Sequence, residues 1–179
     1  AYWASRPPAI QSSVGSPLAL FRPQQSFTMG APRRQPGRRA NEVERRVSLD
    51  RPFYLGTREI SNAEYRSWKS SHSSSALQGQ TLDRDRQPVA GLTWEDAALY
   101  CNWLSRREGL PLFYRMENGV VNGFNWDAHG YRLPTEAEWA WAARVNTDGS
   151  SQTLPWVNGL YPPTDVVDNY ADRSASRLI

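Results

Sequence analysis

The sequence predicts an α+β domain with a mixed sheet of short, mainly antiparallel strands, packed helices and much loop. Three helix starts are well marked, two of them by the spacing of a capping box, and the strand-like segments between them are short. Helices and strands follow one another in mixed order, without the long crossover helices of a βαβ rhythm. Because parallel strands need such crossovers, the pattern favours antiparallel pairing.

Short apolar runs predict the strands. Residues 26–30 predict a strand that runs into a turn. In residues 43–49, Val43, Val47 and Leu49 share one face with Arg45, whose charge weakens the alternation, and the pattern predicts a second strand. Residues 53–55 form a third run that Gly56 closes. Residues 119–126 predict a hairpin with a type I′ turn at Asn122-Gly123. The polar stretches that remain, 70–75 and 78–88, predict loops.

Local sequence signals, with capping boxes at the first and third, predict where the three helices begin. In such a box a Ser or Thr and an acidic residue three positions on bond each other's free backbone amides. The first helix opens at Ser61 and runs to about Lys69. The second opens at Thr93 and ends before Gly109, and the third opens at Thr135 with apolar residues on all sides, which predicts deep burial. One face of the second helix carries Trp94, Ala97, Ala98, Cys101 and Leu104.

Composition divides the chain into two parts. Residues 1–25 are rich in Pro and Ser and predict an extended arm or linker, whereas residues 26–179 predict one domain. Residues 1–51 carry nine Arg against three acidic residues, so that part could contact nucleic acid or anionic lipid. The tightest cluster, residues 33–39, is broken by Pro and Gly and contains no aromatic residue for base stacking. A solvated arm is therefore the expectation, and no nucleic-acid partner is expected.

Five segments of the chain resemble the formylglycine-generating enzyme (sulfatase-modifying factor) family, in the family's order and spacing. The most specific of them reads Gly-Tyr-Arg-Leu-Pro-Thr-Glu-Ala-Glu-Trp at residues 130–139. The other four are residues 27–30, 53–65, 88–97 and 100–105, and residues 154–156 and 169–172 fit the section that follows. The resemblance covers residues 26–179 and implies a C-type-lectin-like fold. In such a fold the core aromatics are expected to be Trp94, Trp103, Trp139 and Trp141.

The resemblance also implies elements that residues 1–179 lack. Family members continue with a Gly-Asn-x-x-Glu-Trp element, an Arg-Gly-Gly-Ser-Trp element and, in active enzymes, a cysteine pair that binds copper and activates oxygen. Copper is therefore implied only for a longer chain that carries this pair. A chain that stops at Ile179 would leave the sheet open, so we expect a protein partner or the protein's own C-terminal segment to cover it.

No residue of the chain is predicted to be catalytic or to bind a redox cofactor. Cys101 lies on the apolar face of the second helix, where burial makes a thiol an inert small hydrophobe. His72 and His129 share no motif that would make them metal ligands, and His129 is expected to pair locally with Asp127.

A calcium site is the one metal site that the resemblance implies. In the family the corresponding Asn gives its side-chain oxygen to a structural Ca²⁺ and the next residue gives its carbonyl, which here are Asn169 and Tyr170. Calcium takes six to eight oxygen ligands, so these two residues form an incomplete site. The alternative is that Asn169 caps its own turn.

Three classes of function follow from these observations. The resemblance implies a copper-dependent oxidase that converts a sulfatase cysteine to formylglycine, or a related maturation enzyme acting on another substrate. The third class, which we favour, is a non-catalytic binding or structural subunit of a larger exported or membrane-associated assembly. The Pro/Ser-rich arm, the start at Ala1 and the family's frequent export predict a periplasmic or extracellular location, with a membrane tether upstream of residue 1.

Overall fold

The computed structural model describes residues 5–35, 38–146 and 150. The chain divides into two compact units. Unit 1 comprises Ala1–Arg22 and Pro52–Pro134, and unit 2 comprises Pro23–Arg51 and Thr135–Ile179.

A three-stranded antiparallel sheet belongs to unit 1. Its strands are β1 (Ala9–Gln11), β2 (Pro17–Phe21) and β5 (Phe53–Gly56), in the order β1-β2-β5. Ala19 pairs with both Ala9 and Leu55, and Leu18 is buried. Two strands therefore lie within residues 1–25, which the Pro/Ser-rich composition predicted as an arm. They form because the backbone amides and carbonyls of β2 pair with those of β1 and β5. Amino-acid composition carries no information about such pairing.

Helices α1 (Asn62–Arg66) and α2 (Trp94–Arg107) begin where the sequence predicted, each with a capping box. In α1 the Glu64 carboxylate accepts from the Ser61 amide at 2.7 Å, and in α2 the Asp96 carboxylate accepts from the Thr93 amide at 3.2 Å. Helix α1 is shorter than predicted, and Ser67 caps its C-terminus.

Two further hairpins lie in unit 1. Strands β6 (Ala76–Leu77) and β7 (Gln80–Thr81) pair with each other, so that β7 lies within the stretch 78–88 predicted as loop and β6 lies between the two predicted loops. Strands β8 (Tyr114–Glu117) and β9 (Val120–Phe124) form the second hairpin. The prediction of its turn at Asn122-Gly123 was wrong, because the chain reverses at Asn118-Gly119, where both residues have positive φ.

Two groups of side chains form the apolar core of unit 1. Tyr65, Tyr100 and Leu104 pack where α1 meets α2, with Trp103 against them. The second group packs α2 against the β8–β9 hairpin and consists of Ala98, Phe113 and Tyr114, with Cys101, Met116, Val121 and Ala128 around them. Trp103 is thus packed as expected, but Trp94 is exposed, so its prediction as a core residue was wrong.

Unit 2 packs one helix on a two-stranded hairpin. Strands β3 (Phe27–Met29) and β4 (Arg45–Val47) pair antiparallel, and Ala140 of α3 (Glu136–Arg144) packs against Phe27 and Met29. Trp139 is 61% exposed, so the prediction that α3 is buried on all sides was wrong. A two-stranded hairpin covers one face of a helix, and Trp141 packs on that face whereas Trp139 does not.

All strand pairs of the described residues are antiparallel, and helices and strands follow in mixed order. The predicted α+β fold class is confirmed. Among the described residues, no helix is both long and apolar enough to span a membrane.

Candidate binding surface

The β8–β9 hairpin places aromatic residues at one end of unit 1. Its tight turn is closed by Asn118 and Gly119, with φ of 51° and 81°. The register then shifts between Arg115 and Met116, so that Asn122 is an extra residue in β9. Beyond this bulge Tyr114 pairs directly with Phe124, which puts the two rings on the same side of the hairpin.

Five aromatic side chains form what we call the aromatic surface: Trp94, Phe113, Tyr114, Phe124 and Trp126. Phe113 and Tyr114 are buried, whereas the other three are exposed, and Trp126 is 65% exposed. Their ring centroids are 5.4 Å apart for Trp94 and Tyr114, 5.7 Å for Phe113 and Phe124, and 5.6 Å for Phe124 and Trp126. These separations are typical of interacting rings, so the exposed rings continue the core.

Hydrogen bonds hold the base of the aromatic surface. The fully buried Asn102 of α2 donates from Nδ2 to the Tyr114 carbonyl at 2.8 Å and accepts from the Tyr114 amide at 3.3 Å. The Tyr114 hydroxyl accepts from the Leu133 amide at 3.0 Å, and burial raises the pKa of that hydroxyl. Arg132 lies with its guanidinium carbon 5.4 Å from the Phe113 ring centroid. The exposed rings therefore stand on a fixed support.

A second polar centre lies at α1. The fully buried Asn62 donates from Nδ2 to the carbonyls of Leu82 and Arg84, both at 2.8 Å, and its Oδ1 accepts from the Ser74 hydroxyl. These bonds fasten both sides of the β6–β7 hairpin to α1. The Asn62 amide is used by the fold itself, since it bonds the chain on both sides of the hairpin at once.

Ser74, His72 and Asp83 lie close together but are not arranged for hydrolysis. His72 Nε2 is 3.4 Å from the Ser74 hydroxyl and 3.0 Å from the Ala90 carbonyl oxygen. The Asp83 carboxylate accepts from the Ser74 amide at 2.7 Å and from Arg66 at 2.6 Å. A nucleophilic serine needs its base oriented by an acid, but here the hydroxyl is committed to Asn62 and the acid to other donors.

A family model described as sulfatase-modifying factor enzyme 1-like domain matches residues 17–177. The chain belongs to this family. The family predicted from the sequence motifs is therefore confirmed.

Relatives of this chain differ in activity. The formylglycine-generating enzyme of Mus musculus is 28% identical over 173 residues, which covers 82% of this chain and 45% of that enzyme. The inactive C-alpha-formylglycine-generating enzyme 2 of Mus musculus is 33% identical over 75 residues, covering 42% and 16%. The chain thus spans less than half the length of these relatives. Membership of the sulfatase-modifying factor family consequently leaves catalytic and non-catalytic roles open.

A solved structure shows the same fold. Variable protein 1 of Treponema denticola superposes with a TM-score of 0.67 at 21% identity, covering 86% of this chain and 61% of that protein. The predicted fold, a formylglycine-generating-enzyme-like member of the C-type-lectin-like class, is confirmed.

Cys101, the single cysteine of this family member, lies on α2 beside the buried Ala98 cluster. Desolvation by burial raises the pKa of its thiol to about 12, and the nearby Arg132 only partly opposes this. A thiol that stays protonated at neutral pH is a poor nucleophile and a poor metal ligand.

Within the described residues, no three His, Cys, Asp or Glu side chains are grouped so that they could hold a metal ion. The predicted calcium ligands Asn169 and Tyr170 lie outside the described residues. Their role remains a prediction.

The sequence analysis missed the aromatic surface. Four of its five aromatic residues fall within residues 113–126, and this density was the available signal. The incorrect turn at Asn122-Gly123 concealed the surface, because only the true register pairs Phe124 with Tyr114.

Proposed function

We propose that this domain serves as a non-catalytic binding or structural module, and that the aromatic surface is its contact site. The observation that carries the proposal is the continuity of three exposed rings with the buried rings of Phe113 and Tyr114. Single exposed apolar residues are normal, but contiguous patches mark interaction sites. Rigid aromatic side chains are also the residues that contribute most to protein interfaces.

The partner that suits this surface is another polypeptide with an apolar face. It is either a separate protein or a C-terminal family segment of the same protein, as expected from the open sheet. We place the module in a larger exported or membrane-associated assembly, in the periplasm or outside the cell. A structural Ca²⁺ at Asn169 and Tyr170 belongs to the same proposal, with its other oxygen ligands supplied from outside this chain.

A cysteine-oxidising or related maturation enzyme is the second candidate. Its support is the similarity to the formylglycine-generating enzyme of Mus musculus, which extends over 82% of this chain. Residues 1–179 do not suit copper, since they contain one thiol and its pKa is about 12. In this candidate the copper ligands come from residues outside this chain.

Site-specific photo-crosslinking in the native host tests the binding proposal. A photoreactive phenylalanine analogue replaces Trp126 in one variant and Leu77 in a control, since the two side chains are 65% and 64% exposed. We expect one defined protein adduct, or one defined intramolecular crosslink in a longer chain, from position 126 and none from position 77. Mass spectrometry identifies the product.

Two results would argue against the proposal. Equal adducts from both positions would mean that the aromatic surface has no special affinity. Copper-dependent oxygen consumption with a cysteine peptide, measured on the native full-length protein, would establish the enzyme candidate instead.

A further inference from the structure

Unit 2 carries a second surface, which is basic. The described residues 32–35 and 38–46, here called the basic loop, follow β3 and include the first two residues of β4, and they contain six Arg against two Glu. The side chains of Arg33, Arg34 and Arg39 are exposed. A local charge of +4 on so short a segment produces a positive potential that extends over about a Debye length, roughly 8 Å at physiological salt.

Backbone contacts hold the basic loop in place. The Ala31 amide donates to the Glu42 carbonyl at 3.1 Å, and Arg38 Nε donates back to the Ala31 carbonyl at 2.9 Å. At Gly30, where φ is +99°, a Cβ would lie 2.4 Å from the Val43 carbonyl oxygen. This close approach needs glycine, so the loop returns tightly along the end of β3.

Two exposed apolar side chains accompany these arginines. Val43 of the basic loop is 63% exposed and Trp139 of α3 is 61% exposed. Arg45 links the loop to α3 through an ion pair with Glu136 at 3.3 Å. Because Glu136 and Trp139 are three residues apart on the helix, they lie on the same side of α3.

We infer that the basic loop and Trp139 form a surface that binds an anionic lipid bilayer. Guanidinium groups bond phosphate oxygens with two donors each, and basic segments are attracted to anionic headgroups. Trp sits favourably at the boundary between headgroups and acyl chains, and an aliphatic side chain gains there as well. The exposed Val43 favours lipid over nucleic acid as the ligand, since an aliphatic side chain can be buried in a bilayer but makes no favourable contact with a phosphate backbone. This inference concerns unit 2 and does not depend on the proposed partner of the aromatic surface.

Vesicle binding by the full chain tests the inference. The probes are phosphatidylcholine vesicles with and without phosphatidylglycerol. One variant carries Arg33→Gln, Arg34→Gln and Arg39→Gln, and its control carries Arg86→Gln, Arg106→Gln and Arg115→Gln, at exposed positions of unit 1. Both reduce the net charge from +3 to zero. We expect affinity for the anionic vesicles to fall at least about tenfold in the first variant and less than about threefold in the control.

A second pair of variants tests the apolar contribution. Trp139→Ser and Val43→Ser should each weaken binding to anionic vesicles several-fold, roughly as expected for losing interfacial contact. The blue shift of tryptophan emission on vesicle binding should shrink in Trp139→Ser.

Three outcomes would overturn the inference. The first is equal binding to vesicles with and without phosphatidylglycerol. The second is an equal loss of affinity in the two arginine variants, which would show an effect of net charge alone. The third is tighter binding to a DNA duplex than to vesicles, with no effect of Trp139→Ser on either.

Discussion

The region around α1 and the β8–β9 hairpin are organised by opposite means. Around α1 a set of polar side chains is buried beside the Tyr65 ring, and Asn62, Glu64 and Ser74 all have their bonding groups in use. At the hairpin the central side chains are those of the aromatic surface, and three of its five rings are exposed. Buried polar groups cost free energy unless they are bonded, whereas aromatic rings can extend from core to solvent without such a penalty.

The two regions therefore differ in whether their side chains are used within the fold or are available to contact a partner. The α1 region contains the residue types of an active site, including Ser, His, Asp and Glu, but their donors and acceptors are bonded within the fold. The hairpin contains no such group in its aromatic surface, yet it presents apolar area to a partner. Mutations should therefore affect stability most at α1 and least in the hairpin.

The largest effect is expected for Asn62→Ala. The substitution removes a buried amide that bonds the part-buried carbonyls of Leu82 and Arg84 and the buried Ser74 hydroxyl, which should lower the free energy of unfolding by about 3 kcal/mol. The control is Asn122→Ala in the hairpin, since Asn122 is exposed and its side chain donates to the exposed Glu117 carboxylate at 2.8 Å. It should cost less than about 0.5 kcal/mol. Urea unfolding measures both, and equal losses would contradict the contrast between the two regions.

A smaller effect is expected from pH. Burial alone would raise the pKa of Glu64, but hydrogen bonds from Arg58 and Ser61 outweigh it and lower that pKa from 4.5 to about 2. Because the folded pKa lies below the unfolded one, the stabilisation is complete above about pH 4.5 and is lost as pH falls towards 2. The corresponding free energy is on the order of 2–3 kcal/mol.

Unfolding measured between pH 7 and pH 2 tests this linkage. Glu64→Gln should lower stability at pH 7 and flatten the acid dependence, because the variant has no carboxylate to protonate. Glu59→Gln, at an exposed neighbouring position, should keep the acid dependence of the original chain. An unchanged acid slope in Glu64→Gln would show that other carboxylates control it.

The smallest change in stability is expected for alanine substitutions at the two Asn-Gly pairs of the hairpin. Gly119 has φ of +81° in the turn, so Gly119→Ala should cost about 1–2 kcal/mol. Gly123 lies in β9, where a Cβ would meet the Arg115 side chain at an ordinary 3.6 Å. Gly123→Ala should therefore be neutral or stabilise by up to about 0.5–1 kcal/mol. Thermal unfolding measures both variants. A lower melting temperature for Gly119→Ala alone would support the observed register, and a lower melting temperature for Gly123→Ala alone would support the turn at Asn122-Gly123.

Local sequence signals were sufficient for the helix starts. Ser61, Thr93 and Thr135 each bond an amide three residues away, so the necessary information lies within four residues. The strands β3 and β5 were predicted for a similar reason, since short apolar runs bounded by turn residues mark them.

Features that depend on distant segments were not predictable in this way. Strands β1 and β2 exist through pairing with each other and with β5, more than thirty residues along the chain. The exposure of Trp94 and Trp139 depends on which face of each helix finds a neighbour. Asn118-Gly119 and Asn122-Gly123 are identical in sequence, and only the pairing of Tyr114 with Phe124 distinguishes turn from bulge.

The bonds of Asn62 also determine where the chain tolerates change. Ser74 lies before the exposed Gln78-Gly79 turn and Leu82 after it, and both are tied to the same amide. The hydrogen bonds to Asn62 therefore hold the two sides of the hairpin together even if the turn between them is lengthened. Added residues at Gln78-Gly79 lengthen a closed loop at a cost that grows only with the logarithm of its length. This turn is consequently a suitable place to insert an epitope or a fluorophore without disturbing the helices beneath it.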